Sequence, residues 1–226
     1  MINCDNVTLV YPDGTIGLND VNLNIARGEL IYIIGPSGSG KTSFFKLIMG
    51  IEYPTSGMMT VLGQAMQKCE KKGIRKIRQE MGPVFQDFKL IRGRTALDNT
   101  ILGMRFLDFS INEIKLRAKE ALQRVGLEDK MFTNVEKLSW GQSQRVAIAR
   151  AIVRKPSLII ADEPTGNLDV DNALNILNLL TSFKEQDTTV IITTHATHLI
   201  ENLNHGRTLY VNDGNINNLD LEGASI

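Results

Sequence analysis

Apolar residues in this chain fall into short runs and alternations of two periods, separated by turn-forming residues. Near the N-terminus, TLVY and VNLNI carry strand-type content or alternation. They are broken at Pro12-Asp13-Gly14 and at Arg27-Gly28, so residues 2–34 read as strands. Leu30-Ile31-Tyr32-Ile33-Ile34 is an unbroken apolar run rich in β-branched residues, the pattern of a strand covered on both faces. Leu158-Ile159-Ile160-Ala161 and Val190-Ile191-Ile192-Thr193 repeat it. Helical spacing appears at residues 42–49, closed by Gly50, and at residues 142–153, ended by Lys155-Pro156. A third helix is predicted after the capping box Ser110-Ile111-Asn112-Glu113. It sets Ile114, Ala118, Leu122 and Val125 on one face and stops at Gly126. Strands alternating with helices at both ends of the chain predict a parallel α/β sheet around a mostly helical middle. The tail after Asn217 is expected to fray.

Composition narrows the function classes. The 226 residues carry 25 Lys+Arg against 25 Asp+Glu, so no bulk field draws the chain to nucleic acid or to an acidic membrane. The basic run from Lys68 to Arg78 lacks interleaved aromatics for bases to stack on and reads as a solvated helix face. No nucleic-acid partner is expected. The two cysteines, Cys4 and Cys69, lie far apart and are expected as reduced thiols in a cytosolic protein. The N-terminus lacks the basic and apolar regions of a signal peptide, and no apolar run reaches the length of a membrane span.

The candidate chemistry begins with Gly35-Pro36-Ser37-Gly38-Ser39-Gly40-Lys41-Thr42, which fits GxxxxGK[ST] between a buried strand and a helix. Glycines let the backbone wrap with its N–H groups pointing inward, and the helix terminus adds a favourable dipole. Lys41 can reach the β- and γ-phosphates, and the Thr42 hydroxyl can bind Mg²⁺. The run Leu158-Ile159-Ile160-Ala161 ends in Asp162-Glu163, at the carboxyl edge where α/β sheets bind ligands. Asp162 can hold Mg²⁺ through water, and Glu163 is placed to polarise a water that attacks the γ-phosphate. His195 and His198 are spaced like a helical metal pair, but no Cys or third ligand lies near them in sequence, so a metal site is not expected.

Those motifs fit a P-loop hydrolase or kinase equally. KLSWGQSQRVAIAR, residues 137–150, decides between them. It contains no His, Asp, Glu or Cys, and hence no general base, strong nucleophile or metal ligand. It does contain a good N-cap, Ser139, ahead of Gly141 and a helix expected from about Gln142, which together make a second anion cradle. A chain with a complete phosphate loop needs no second cradle for the same nucleotide, so this one is expected to serve a nucleotide on another copy.

LSWGQ resembles the signature motif LSGGQ of ABC-type ATPases, and the similarity extends over essentially the whole chain in the family's motif order. The resemblance implies an α/β fold, with a RecA-like P-loop NTPase parallel core, an antiparallel β-subdomain and an inserted helical subdomain. It implies one domain, with residues 1–86 and 156–226 as the nucleotide-binding core and 87–155 as the helical part. It implies ATP and Mg²⁺ as cofactors, ATP hydrolysis as the reaction, and a second copy as head-to-tail partner. Tyr11 resembles the aromatic that stacks on adenine, and Ser43 belongs with the phosphate loop. Gln86 resembles the Q-loop glutamine that joins Mg²⁺ and water to the membrane-facing surface, Asn167-Leu168-Asp169 the D-loop, and His195 the switch histidine. Ser139, Gly141, Gln142 and Asp169 are the residues implied to meet the partner copy's nucleotide. Trp140 stands where the family has Gly, and Ala196 where an Asp is common.

Phe85-Gln86-Asp87-Phe88-Lys89-Leu90-Ile91, then Arg94-Thr95-Ala96-Leu97-Asp98-Asn99, resembles the Q-loop region of the cell-division member of that family, and Ala161-Asp162-Glu163-Pro164-Thr165-Gly166-Asn167-Leu168-Asp169 is similar to a stretch shared by the FtsE, LolD and MacB group. This implies a place on the cytoplasmic face of the membrane beside an integral, permease-like protein similar to FtsX. An exporter or lipoprotein-releasing ATPase is the alternative, and a soluble P-loop kinase is a third that leaves residues 137–150 unexplained.

Overall fold

The computed structural model describes residues 1–105, 107–166, 168–200 and 206–219. In chain order the first strands are β1 (Ile2–Val10), β2 (Ile16–Ile25) and β3 (Leu30–Ile34), followed by helix α1 (Lys41–Ile48). Then come β4 (Ser56–Val61), β5 (Gln64–Ala65), α2 (Lys71–Gln79) and β6 (Met81–Val84). The helices α3 (Ala96–Ile101), α4 (Ile111–Arg124) and α5 (Trp140–Ile152) lead to β7 (Leu158–Asp162) and α6 (Val170–Thr181). The chain closes with β8 (Thr189–Thr194), α7 (Thr197–Ile200), β9 (Arg207–Asn212) and β10 (Asn215–Leu219). Two compact units result: Met1–Arg78 with Lys184–Ile226, and Gln79–Phe183.

In the first unit, alternation makes an antiparallel sheet in the order β2-β1-β4-β5. Ile2, Cys4, Val7 and Leu9 of β1 are buried, opposite Ile25, Leu23, Val21 and Leu18 of β2. The register shifts between Cys4 and Val7, where Asn6 takes a φ of 49°. The bulge keeps both apolar sets on one face although their spacing changes there. The second group of strands runs β10-β9-β3-β8. β3 pairs parallel with both β8 and β9 and is sealed on both faces, which is what its unbroken apolar run requires. β9 and β10 form a hairpin on Asp213 and Gly214, with φ of 47° and 78°, the left-handed pair of a tight two-residue turn. Pairing carries β10 through Asn218 and Leu219, so the chain stays in register past Asn217, where fraying was expected. Residues 220–226 lie outside the described residues. Both cysteines are free thiols, Cys4 buried and Cys69 exposed, and burial pushes the Cys4 thiol up to about 12.

In the second unit, β6 and β7 pair in parallel and α5 is the central helix, packed by α3, α4, α6 and β6. Close packing on α5 depends on two glycines. A Cβ on Gly82 would lie 2.7 Å from the Ala151 carbonyl oxygen, and one on Gly103 2.4 Å from that of Arg150. α4 buries Ala118, Leu122 and, at its end, Val125, while Ile114 is half-buried. At its start Ser110 caps the Glu113 N–H at 3.2 Å, the forward half of the expected box. α5 begins at Trp140, two residues earlier than its apolar period indicates. A full capping box sets this start: the Ser139 hydroxyl accepts from Gln142 N at 3.2 Å, and the Gln142 side-chain oxygen accepts from Ser139 N at 3.0 Å.

Asn99 on α3 is fully buried and holds the segment before that helix. Its amide oxygen accepts from Ile91 N at 2.7 Å, and its Nδ2 donates to the carbonyls of Ile91 (3.2 Å) and Thr95 (3.0 Å). Asn99→Ala strands these groups in a buried site and should cost about 2 kcal/mol. A lowered urea midpoint at unchanged slope is the expected result.

Candidate functional site

Backbone conformation builds the first half of the site. β3 runs into Gly35, Gly38 and Gly40, whose φ values are 152°, 79° and 119°. At two of these glycines the surroundings also exclude a side chain. A Cβ on Gly35 would sit 2.1 Å from the Val211 carbonyl of β9, and one on Gly40 2.5 Å from that of Gly17. The turn of the β9–β10 hairpin braces the loop from outside. Gly214 N donates to the Ser39 carbonyl, and Asn19 N donates to the Gly214 carbonyl, both at 2.9 Å. Gly40 caps α1 without a side-chain hydrogen bond, so the head of that helix is built to receive an anion on its N–H groups. Lys41 is buried, with Nζ donating to the carbonyls of Gly35 (2.9 Å) and Pro36 (3.0 Å) across its own loop. Pro36, Ser37 and Gly38 of the loop and Thr42 of α1 are exposed. The Ser39 hydroxyl is buried and has no hydrogen-bond partner among the described residues.

Tyr11 is tied to this loop's helix. Its hydroxyl lies 3.1 Å from Ser43 Oγ, and Lys46 Nζ stands 5.4 Å from the ring centroid. The contact needs Gly17, where a Cβ would come within 2.8 Å of the tyrosine ring and 2.9 Å of Ser43 Oγ. His195, at the end of β8, is exposed.

The second unit presents the remaining residues. Asp162 ends β7 and is buried, and Glu163 follows it, also buried, in a left-handed conformation with φ of 47°. That conformation is costly for a residue with a side chain, and it turns Glu163 off the strand direction. Gly166 N donates to the Glu163 carbonyl at 3.3 Å. Gln86 packs on this turn, with Nε2 3.8 Å from where a Cβ on Gly166 would stand. Asp169 caps α6, accepting from Asn172 N at 2.9 Å and from Asn172 Nδ2 at 2.7 Å. The backbone bond from Asn172 holds its carboxyl below the usual range. Asn167 lies outside the described residues.

Ser139 and Trp140 are exposed at the start of α5, and Gly141 and Gln142 are half-exposed. Among the described residues Gly141 faces only Leu168, 3.8 Å from a would-be Cβ, and none of them demands a glycine there. The Ser139 hydroxyl spends one lone pair on the cap and keeps its proton to donate outward. Gln86 and Asp162 of the second unit offer amide and carboxylate oxygens, and Thr42 of the first a hydroxyl, each a hard donor of the kind that suits Mg²⁺. No group of three His, Cys, Asp or Glu residues that could hold a metal occurs among the described residues.

Sequence reasoning did not single out Gly17, Lys46 or Arg150. Gly17 and Lys46 carried no motif, and the role of Arg150 depends on a loop 61 and 62 residues away in sequence.

Residues 18–166 match the ABC transporter family. The chain is 38% identical over 216 residues to the cell division ATP-binding protein FtsE of Streptococcus pneumoniae, a match covering 96% of this chain and 94% of the relative. It is 39% identical over 209 residues to the methionine import ATP-binding protein MetN 2 of Bacillus cereus, covering 91% of this chain and 62% of the relative. The ATP-binding cassette MJ0796, solved as a dimer in a post-hydrolysis state with ADP and Pi, shares its fold. The TM-score is 0.86 at 35% identity, over 99% of this chain and 100% of that one. A glycine loop at the head of α1, an acidic strand end, a capped signature helix and kinship along nearly the whole length lead to one conclusion: the chain belongs to the ABC transporter family, as an ATP-binding and ATP-hydrolysing cassette.

Proposed function

We propose that the chain is the ATPase subunit of an FtsE-type membrane complex. Two copies close head to tail on ATP and move an integral, permease-like partner similar to FtsX. What supports the cell-division reading is the stretch Phe85-Gln86-Asp87-Phe88-Lys89-Leu90-Ile91, most like that member of the family, together with 38% identity to FtsE over 96% of this chain. The importer identity of 39% keeps a transport complex as the second reading. No helix among the described residues is long and apolar enough to cross a membrane, which fits a peripheral place on the cytoplasmic face, reached through the partner. No nucleic-acid partner belongs to this reading. The cassette acts as one domain, with residues 87–155 as its helical part.

Each residue then has a task. The N–H groups of the loop from Gly35 to Gly40 and the head of α1 hold the phosphates, with Pro36, Ser37 and Ser39 shaping the loop. Lys41 leaves its own carbonyls for the β- and γ-phosphate oxygens, exchanging neutral acceptors for charged ones. Tyr11, steadied by Ser43 and Lys46, offers its ring to adenine. Thr42, Asp162 and Gln86 would hold Mg²⁺, which would neutralise charge on the phosphate oxygens. Glu163 is turned out of line with Asp162 and orients the attacking water. His195 supports the γ-phosphate. Ser139, Gly141, Gln142 and Asp169 face the nucleotide held by the other copy. Openness at Gly141 supports this part, because a glycine uncrowded by the described residues is explained by a second molecule's close approach.

Glu163→Gln should bind ATP normally and trap the closed pair. Sedimentation with saturating ATP and Mg²⁺ should give twice the monomer mass, and a species that stays monomeric contradicts trans closure. Gly38→Ala meets open space and should weaken ATP binding about tenfold, matching the roughly 1–2 kcal/mol cost of a left-handed side chain. Gly40→Ala must also displace the Gly17 carbonyl and should weaken it at least about a hundredfold. Equal effects in a nucleotide titration would show that the loop does not cradle the phosphates as described. Capture of the trapped pair from detergent-solubilised membranes should bring down an FtsX-like protein. A methionine-importer permease would move the chain to the second reading.

A further inference from the structure

Phe88 and Lys89 form another left-handed feature of the second unit. They are consecutive non-glycine residues with φ of 58° and 48°, immediately beyond Gln86-Asp87. Two neighbouring residues in this region persist only where their surroundings impose it. Within the loop, Phe88 N donates to the Phe85 carbonyl at 3.0 Å and Lys89 N to that of Asp87 at 2.6 Å. The Lys89–Asp87 ion pair, at 2.5 Å, is exposed on both sides and holds little. The strong fastenings come from α5. The Arg150 guanidinium donates to the Lys89 carbonyl at 2.6 Å and also to that of Phe88. The Phe88 ring meets Trp140 edge to face, with centroids 4.6 Å apart and planes at 61°.

These two anchors are ten residues apart on one helix, about 15 Å along its axis. Arg150 lies in the last turn. Trp140 lies in the first, between Ser139 and Gly141. A helix is stiff over this length, so the loop after Gln86 is pinned at both ends of a single rod. Trp140 is 44% exposed while Phe88 is only 8% exposed. The tryptophan therefore covers the phenylalanine and keeps a face open itself. A glycine at position 140, as in the family's usual signature, offers no ring to make this contact.

We propose that Trp140 is a positioning residue. Through Phe88 it ties the left-handed turn beyond Gln86 to the signature end of α5, so that Gln86 and Ser139 shift as one body. The consequence for catalysis rests on the roles given above to Gln86 and Ser139. The mechanical link does not, and it can be tested without nucleotide.

The test is amide hydrogen exchange of the full chain as Trp140→Ala, Trp140→Phe and Phe88→Leu. Trp140→Ala should raise exchange at the Phe88 and Lys89 amides about tenfold, by opening the loop locally. Trp140→Phe should restore protection, and amides 146–149 inside α5 should keep their rates in all three. Phe88→Leu should in turn raise exchange at Gln142, whose N–H caps the helix start, because coupling is reciprocal. The chain has one tryptophan, so the same variant should also shift Trp140 emission to the red. Should Trp140→Ala fail to fold, Phe88→Leu alone decides. Unchanged exchange at Phe88 and Lys89, or unchanged Gln142 in Phe88→Leu, overturns the link. In ATP turnover, Trp140→Ala should lower kcat about tenfold with KM within about twofold, since the phosphate loop is untouched. An equal rise in KM would make the tryptophan a binding residue instead. A wild-type chain that shows no turnover sinks the ATPase reading and leaves the exchange result standing.

Discussion

Backbone N–H groups can surround a phosphate only if the chain turns through conformations closed to side chains, and that constraint organises the first unit. Gly35, Gly38 and Gly40 supply the turns. Gly17, Val211 and Gly214 supply the surfaces that press on them. The β9–β10 hairpin, far away in sequence, is therefore part of the phosphate loop's foundation. Lys41 spans the loop, with Nζ donating to the carbonyls of Gly35 and Pro36.

The second unit is organised around α5. The Ser139–Gln142 box fixes where the helix starts, and the buried residues Val146 to Ala149, Ala151 and Ile152 fix how it lies. Its flank holds the loop beyond Gln86 in a shape that loop would not keep alone. The non-glycine residues strained in this unit's site region, Phe88, Lys89 and Glu163, adjoin or include the residues assigned to water, metal and coupling. Strain of this kind collects where geometry must be fixed before a ligand arrives.

Much of this was legible in the sequence because it rests on local rules. Unbroken apolar runs marked β3, β7 and β8. Glycine spacing marked the phosphate loop, and Ser139 marked the cap. What stayed hidden depends on contacts between distant residues. Nothing in Asp87-Phe88-Lys89-Leu90 announces left-handed backbone, since no glycine stands there and the Arg150 that fastens it lies 61 and 62 positions on. Lys46 and Gly17 matter only because Tyr11 lies between them. α5 starts early because the Gln142 side chain closes the box, which outweighs the weak helix preference of Trp140 and Gly141. Asn218 and Leu219 fall in the tail expected to fray, yet backbone pairing with β9 holds them in a strand.

The central claim is that the signature of one chain completes the nucleotide site of another. Mixing two inactive chains tests it most directly. Lys41→Ala removes the phosphate-loop lysine, and Ser139→Arg blocks the signature. If the sites form in trans, half of the pairs in an equal mixture are mixed, and each mixed pair has one intact site. ATP turnover should then recover to about a quarter of the wild-type rate. If each chain completes its own site, every molecule in the mixture is defective. Turnover that stays at the level of the separate variants would contradict the account.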